Sequence, residues 1–447
     1  MEFTSFDIHS ALVLGLGLSG EAAARLLHAK GAGVTVIDGG SSERHKTLAG
    51  ILENEGIRVL LGNAIPEESY DLCVVSPSIP LEHPWLKTCR ERAIPVISEL
   101  ELGARYWRGK ILAITGSKGK SSLVKLCSDT LNLAGKSASP AGNYGIPLCT
   151  LVLEKPDLQW AVVEVSSFQM EHTEAMSPDI AILLNLQADH LNRHGTMEVY
   201  GNLKRKLFRA MRGPALALAP LGFDLRGALP QEVSLQTFGG SDQAVWYFKN
   251  GKIRSLSFSE EVDLEGSWFN NPILGVAASA AVPALLKAGL TENQIRDGLR
   301  NFVPLAHRMQ HVACRGDGLL FIDDSKATSL AALAAALKMV ERPVRLIAGG
   351  LLKENDLDSV KEMLTQRVKK GYLIGDCADQ MKSAWEEVIP CECCGTMEVA
   401  VGKAVEEASS GEIVLLSPGT ASFDQFSCFE ERGECFSASV RSILGVQ

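Results

Sequence analysis

The sequence predicts an α/β chain of three domains, and three observations carry that expectation. At 447 residues the chain is about three times the usual domain size of roughly 150 residues. Short apolar runs alternate with helical patterns from end to end, as in parallel sheets whose crossovers are helices. Two glycine-rich junctions join a strand-like run directly to a helix-like one. No period of about 20–50 residues suggests a solenoid.

The first series opens with ALVLGLG (11–17) and a helix-like SGEAAARLLHAKG (19–31). The runs VTVID (34–38), RVLLG (58–62) and DLCVVSPS (71–78) then read as strands. The turn-rich SPSIPLEHP (76–84) follows, and PVISELELG (95–103) leads out of the first domain. A second series holds KILAITG (110–116), WAVVEVSS (160–167) and IAILLNL (180–186), and closes in a helix near 273–288. The third series holds LLFIDDS (319–325), the Ala/Leu-rich helix SLAALAAALKMV (329–340), PVRLIAGG (343–350), GYLIGD (371–376) and EIVLLSPG (412–419). The expected domains are 1–102, 103–304 and 305–447.

Composition narrows the function classes. Hydrophobic residues make up 46% and charged residues 22%, the balance of a globular protein with full cores. The net charge of −9 argues against binding nucleic acid by charge, which needs clustered Lys and Arg. The first residues, MEFTSFDIHS, lack a basic n-region, and no apolar stretch reaches the roughly 20 residues of a membrane span. A cytoplasmic location is therefore expected. The 11 cysteines are scattered, as suits buried thiols in a reducing compartment. Cys391, Cys393 and Cys394 cluster without a second Cys/His pair nearby, and a surface or loop thiol cluster is expected rather than a metal site.

The glycine loops differ in content. GLGLSG (15–20) is a G-x-G-x-x-G between strand and helix, with Asp38 ending the next strand. Its glycines would let a phosphate approach the backbone at a helix N-terminus. It reads either as a dinucleotide site with Asp38 on a ribose hydroxyl or as a tight turn with no ligand. ITGSKGKSS (114–122) carries more information: Gly116, Ser117, Lys118, Gly119, Lys120, Ser121 and Ser122 form a shortened phosphate-binding loop. There Lys120 would meet the β- and γ-phosphates and the Ser121 hydroxyl a Mg²⁺ ion.

EVSSFQME (164–171), NLQADHLNRHG (185–195), HRM (307–309), DDSKAT (323–328) and LSPGTASFDQF…FEERG (416–433) follow in that order. With the two glycine loops they make essentially the whole chain resemble the D-glutamate-adding branch of the Mur ligase family. The resemblance implies a Rossmann-like N-terminal domain, a P-loop-type central ATPase domain and a Rossmann-like C-terminal domain. The activity it implies is ATP-dependent ligation of D-glutamate to UDP-N-acetylmuramoyl-L-alanine through an acyl phosphate, in peptidoglycan synthesis.

The same resemblance assigns residues. GLGLSG becomes a cradle for UDP rather than NAD, with Leu18, Ser19, Asp38, Ser76, Asn143 and Ser167 at substrate-contact positions. Lys120, His190 and Lys204 take catalytic positions, Lys204 as a carbamate. Two Mg²⁺ sites would draw on Ser121, Glu164, His190 and that carbamate. Asn271, Arg308 and Asp324 join the ATP contacts. Lys326, Thr328, Lys353, Ser422, Phe423 and Phe429 match D-glutamate contacts. His194 reads as a structural histidine capping its loop. Small-molecule substrates are the expected partners of a monomer, with no nucleic acid and no membrane insertion.

Several positions depart from the family pattern. Lys118 stands where Asn is usual, Asn192 where Asp is usual, and Gly419-Thr420 where Ala-Cys is usual. GSWFNNPILG (266–275) offers Asn271 for adenine but lacks the usual His and second Asn. A sister ligase with another acceptor, such as a folylpolyglutamate synthase, and a non-catalytic homologue remain alternatives. An NAD-dependent dehydrogenase is a third.

Overall fold

The computed structural model describes residues 8–62, 65–257, 261–353 and 356–445. Contacts divide the chain into two compact units, Met1–Asn270 with Gly275–Phe302, and Asn271–Leu274 with Val303–Gln447.

The first unit holds two sheets. One is wholly parallel and built from β1 (Ser10–Leu14), β2 (Gly33–Asp38), β3 (Arg58–Leu61), β4 (Leu72–Val75) and β5 (Val96–Ser98). Its order is β3-β2-β1-β4-β5, so the winding reverses between β1 and β4. Such a reversal opens a crevice at the carboxyl ends of the strands, where ligands bind in open α/β sheets.

The second sheet contains β6 (Lys110–Thr115), β7 (Ala138–Gly142), β8 (Trp160–Glu164), β9 (Ile180–Leu183), β10 (Leu216–Pro220), β11 (Ser234–Gly239), β12 (Trp246–Lys249), β13 (Lys252–Ser255) and β14 (Val262–Asp263). Its order is β14-β13-β12-β11-β10-β9-β6-β8-β7. β6 and β8 are paired on both sides and buried along nearly all of their length, which is why they read as unbroken apolar runs. β7, with the sequence ASPAG, gives no such signal, because its pairing to β8 supplies what its composition lacks. The antiparallel pair β12–β13 turns at Asn250 (φ 52°) and Gly251 (φ 75°). Two positive φ values in a two-residue turn are what Asn-Gly favours in a hairpin.

The second unit has one sheet: β15 (Gln310–Cys314), β16 (Leu320–Asp323), β17 (Val344–Gly349), β18 (Val368–Ile374), β19 (Cys391–Gly395) and β20 (Ile413–Leu416). Its order is β15-β16-β20-β17-β18-β19, and only the β15–β16 pair is antiparallel. Of the surface or loop cluster expected around Cys391, Cys393 and Cys394, the loop is corrected: these residues form edge strand β19. Alternation buries Cys394 and exposes Cys393. Glu392 holds the edge by pairing with Lys370 across the strand (2.7 Å) and with Lys403.

Candidate active site

The two glycine loops leave the ends of β1 and β6. In the first, Gly15 adopts φ 96° and a side chain there would meet Ser76 Oγ at 2.6 Å. Asp38 closes the loop: its carboxylate accepts the Leu16 N–H (2.6 Å) and the Gly40 N–H (2.6 Å). Strand order thus brings the 15–19 loop, Asp38 and Ser76 together at the winding reversal. Leu18 is 65% exposed beside them, and Ser19 is half-buried in the first turn of the helix Leu18–Ala29.

The second loop packs against the chain leaving β9. Gly116 (φ 148°) and Gly119 (φ 84°) lie against Leu184, where a side chain on either would crowd it within about 3.1 Å. The Asn185 amide oxygen accepts the N–H groups of Ser117 (3.0 Å) and Lys118 (2.9 Å), and its Nδ2 donates to Lys118 O (2.9 Å). The Ser117 hydroxyl donates to Gln187 O (2.9 Å) and meets Tyr200 Oη at 3.1 Å. Lys118, the residue departing from the family pattern, directs its ammonium to Asp189 (3.2 Å), so its charge is paired without disturbing the loop. Ser121 and Ser122 are buried in the first turn of the helix Lys120–Leu133.

Two amines meet on one carbonyl there. Lys120 Nζ donates to Gly116 O (3.0 Å) and Ser117 O (3.0 Å), and Lys204 Nζ donates to the same Gly116 O (2.9 Å). Lys204 is buried on the helix Met197–Arg209, its ammonium 4.5 Å from the centre of the Tyr200 ring. Burial, reinforced by the charge on Lys120, pushes its pKa down to about 7. Losing the proton relieves both the desolvation and the repulsion between the two cations.

Glu164, at the end of β8, is also buried. Its Oε1 accepts from Asn143 Nδ2 (2.7 Å), while Oε2 is buried with no hydrogen-bond partner among the described residues. His190 sits in a left-handed conformation (φ 55°) with its ring 4.8 Å from that of Phe168. Burial lowers its pKa, which favours the neutral imidazole. The Ser167 hydroxyl lies 3.0 Å from His194 Nε2, and both residues are buried.

In the second unit, β16 ends in a polar knot. His307 Nδ1 and Asp323 Oδ2 lie 2.7 Å apart, and Asp324 accepts from Ser417 Oγ (2.9 Å) and the Met309 N–H (3.2 Å). Burial pushes the Asp324 pKa up to about 7 despite those donors. Arg308 stands between His307 and Met309, both at positive φ, and its charge acts on Asp324. The Lys326 ammonium lies 3.6 Å from the centre of the Phe429 ring, and Thr328 follows on the same turn, its N–H donating to Lys326 O (2.8 Å). Ser422 is buried, whereas Phe423 is 65% exposed. Lys353 is exposed on the loop beyond β17. Asn271 caps the helix Pro272–Lys287 by accepting from Ile273 N (3.2 Å) and Leu274 N (3.0 Å).

Sequence reasoning missed Asn185, Tyr200 and Arg432. The Arg432 guanidinium is fully buried and donates to Ser325 Oγ (3.0 Å), Ser325 O (3.0 Å), Ala421 O (3.1 Å) and Thr420 O (3.1 Å). It ties the DDSKAT segment to the GTAS segment. FEERG was visible as a motif, but its arginine lies on a helix face with nothing local to name its partners.

Known proteins carry the same arrangement of segments. Residues 9–98 match the Mur ligase MurD-like N-terminal domain, 114–276 the Mur ligase middle domain and 307–419 the Mur ligase glutamate ligase domain. A UDP-N-acetylmuramoylalanine–D-glutamate ligase of Acidobacterium capsulatum is 36% identical, the match covering 95% of this chain and 94% of that protein. A ligase of the same name from Microcystis aeruginosa is 37% identical over 95% of this chain and 98% of its own length. Among solved structures, UDP-N-acetylmuramate-alanine ligase MurC of Thermotoga maritima superposes with a TM-score of 0.61 at 16% identity, covering 98% of this chain and 100% of that one. The MurF ligase of the same organism, in complex with ADP, gives a TM-score of 0.61 at 15% identity, covering 92% and 96%. These two likenesses concern the fold; the sequence relationship goes further, and the chain belongs to the UDP-N-acetylmuramoylalanine–D-glutamate ligase family of Mur ligases.

Proposed function

We propose that this chain joins D-glutamate to UDP-N-acetylmuramoyl-L-alanine at the expense of ATP, as a cytoplasmic step of peptidoglycan synthesis. The observation that carries this reading is the meeting of Lys120 and Lys204 at the Gly116 carbonyl, with the buried carboxylate of Glu164 on the neighbouring strand β8. Carboxylate attack on a γ-phosphate crowds negative charges, so the protein's task is positioning and neutralisation. Lys120 serves that purpose as the fixed cation of the loop. The substrate carboxylate oxygen bonds to the γ-phosphorus and ADP leaves. The D-glutamate amine then attacks the acyl carbon, loses a proton, and phosphate departs with the oxygen it captured.

The donor set fits Mg²⁺. A buried carboxylate oxygen without a partner, Glu164 Oε2, is costly unless a cation or water takes it, and hard oxygen ligands suit this ion. Glu164 and the Ser121 hydroxyl would hold one ion. His190 and Lys204 as a carbamate would hold a second. A lysine whose pKa is near 7 has the neutral amine that captures CO₂, which supports that modification. Bound there, Mg²⁺ supplies charge for the phosphate oxygens. Asp38, the 15–19 loop and Ser76 take the uridine diphosphate, and Asn143 the neighbouring substrate. Arg308 and Asp324 belong to the nucleotide contacts. Lys326, Thr328, Lys353, Ser422, Phe423 and Phe429 receive the D-glutamate.

The test is ATP-dependent phosphate release with UDP-N-acetylmuramoyl-L-alanine, offering D-glutamate, L-glutamate, L-alanine or meso-diaminopimelate. Release with D-glutamate alone is expected. Release only with another acceptor would move the chain to a sister ligase, and no release with any would favour a non-catalytic homologue.

A further inference from the structure

We infer that Glu171 and Arg193 form a positioning clasp, joining the loop after β4 to the loop that carries His190. The inference rests on the ligase reading above and deepens it. Glu171 is buried beyond the end of β8 and Arg193 lies in the short helix Leu191–His194. The guanidinium meets the carboxylate side-on, Nε to Oε1 at 2.9 Å and Nη2 to Oε2. The fork also reaches the first sheet's domain: Nη2 donates to Ile79 O (2.8 Å) and Nη1 to Ser78 O (3.4 Å). Those carbonyls lie two and three residues beyond Ser76, at the winding reversal.

The clasp touches His190 through one ring. The Arg193 guanidinium lies 4.5 Å from the centre of the Phe168 ring, and the His190 ring lies 4.8 Å from it on the same residue. Glu171 further anchors His194 (3.6 Å), whose other nitrogen meets Ser167. A left-handed residue such as His190 keeps its conformation only when its surroundings hold it. A planar, five-donor guanidinium can grip a carboxylate and two carbonyls at once, and an ammonium cannot. Arg193 is therefore a positioning residue that ties occupancy of the uridine diphosphate crevice to the setting of the His190 ring.

The experiment compares wild type, Arg193→Lys, Arg193→Ala and Glu171→Gln by steady-state kinetics and by the His190 ring resonance in the free protein. The variants are expected to lose kcat/KM for the UDP substrate by roughly 10- to 100-fold, as misplacement of a reacting group by about 1 Å does. KM for ATP should stay within about twofold. The His190 resonance should shift, and added guanidinium ion should restore part of the activity of Arg193→Ala. Wild-type turnover judges the ligase reading separately, because the resonance needs no turnover. An unmoved His190 resonance in Arg193→Lys, which keeps the charge and disturbs the packing least, would overturn the clasp. So would wild-type kcat and a wild-type KM for the UDP substrate in Arg193→Ala.

Discussion

The loops after β1 and β6 begin alike and end in different chemistry. Each leaves an interior parallel strand, turns on glycines and opens a helix. The first is finished by a carboxylate: Asp38 takes two backbone N–H groups. The second is finished by cations, with two amines on a single carbonyl. Glycines make both loops possible, but the charges brought to them by other strands and helices decide what each can do. One loop is satisfied within its own sheet. The other is left under electrostatic tension between two amines that a phosphate anion would relieve.

Four substitutions press on that contrast. The largest effect belongs to Lys120→Ala, where the γ-phosphate loses its fixed cation; kcat should fall by about 10³-fold or more, read by phosphate release. Near-normal kcat there would mean that the second loop is no more catalytic than the first. Next is Lys204→Ala, expected to lose on the order of 10²-fold and to regain part of it with added short carboxylates. Full activity without rescue would remove Lys204 from the site. In the first loop, Asp38→Ala should raise KM for the UDP substrate about tenfold, change kcat little, and cost about 1–3 kcal/mol of stability by freeing two amides.

The last effect is read in stability, and its sign is opposite at the two loops. Replacing the buried amine in Lys204→Met should stabilise the fold, on the order of 1–4 kcal/mol at neutral pH, while activity is lost. The Lys204 pKa lies near 7 in the folded chain, below the roughly 10.4 of an unfolded lysine. Its charge therefore penalises the folded state in full below pH 7, and the penalty is relieved as pH rises towards the unfolded value. The advantage of Lys204→Met should accordingly shrink between about pH 7 and pH 10 in chemical denaturation. An advantage that grew with pH would contradict the buried-amine assignment.

How legible this was depended on distance along the chain. Lys120 and the glycines of both loops are local signals, fixed by their place between a strand and a helix. The interior strands β1, β6, β8, β17 and β20, each paired on both sides, declare themselves by unbroken apolar runs. β7 and β19 do not, because these edge strands draw their order from partners. Tyr200 reaches Ser117 across 83 residues and Arg432 reaches Ser325 across 107, and no spacing rule names such pairs. Asn250-Gly251 is different: a hairpin signal stood in the sequence between WYFK and KIRS. Glu164 and Lys204 needed family register to be singled out, since neither a strand-end glutamate nor one lysine among Lys204, Arg205 and Lys206 is distinctive alone.

The most direct measurement follows one oxygen atom. UDP-N-acetylmuramoyl-L-alanine labelled with ¹⁸O in its terminal carboxylate is turned over with ATP and D-glutamate, and the released phosphate is weighed by mass spectrometry. Attack of that carboxylate on the γ-phosphorus requires one ¹⁸O in each phosphate released. Phosphate without label, its new oxygen drawn from water, would mean that the second loop hydrolyses ATP without activating the carboxylate.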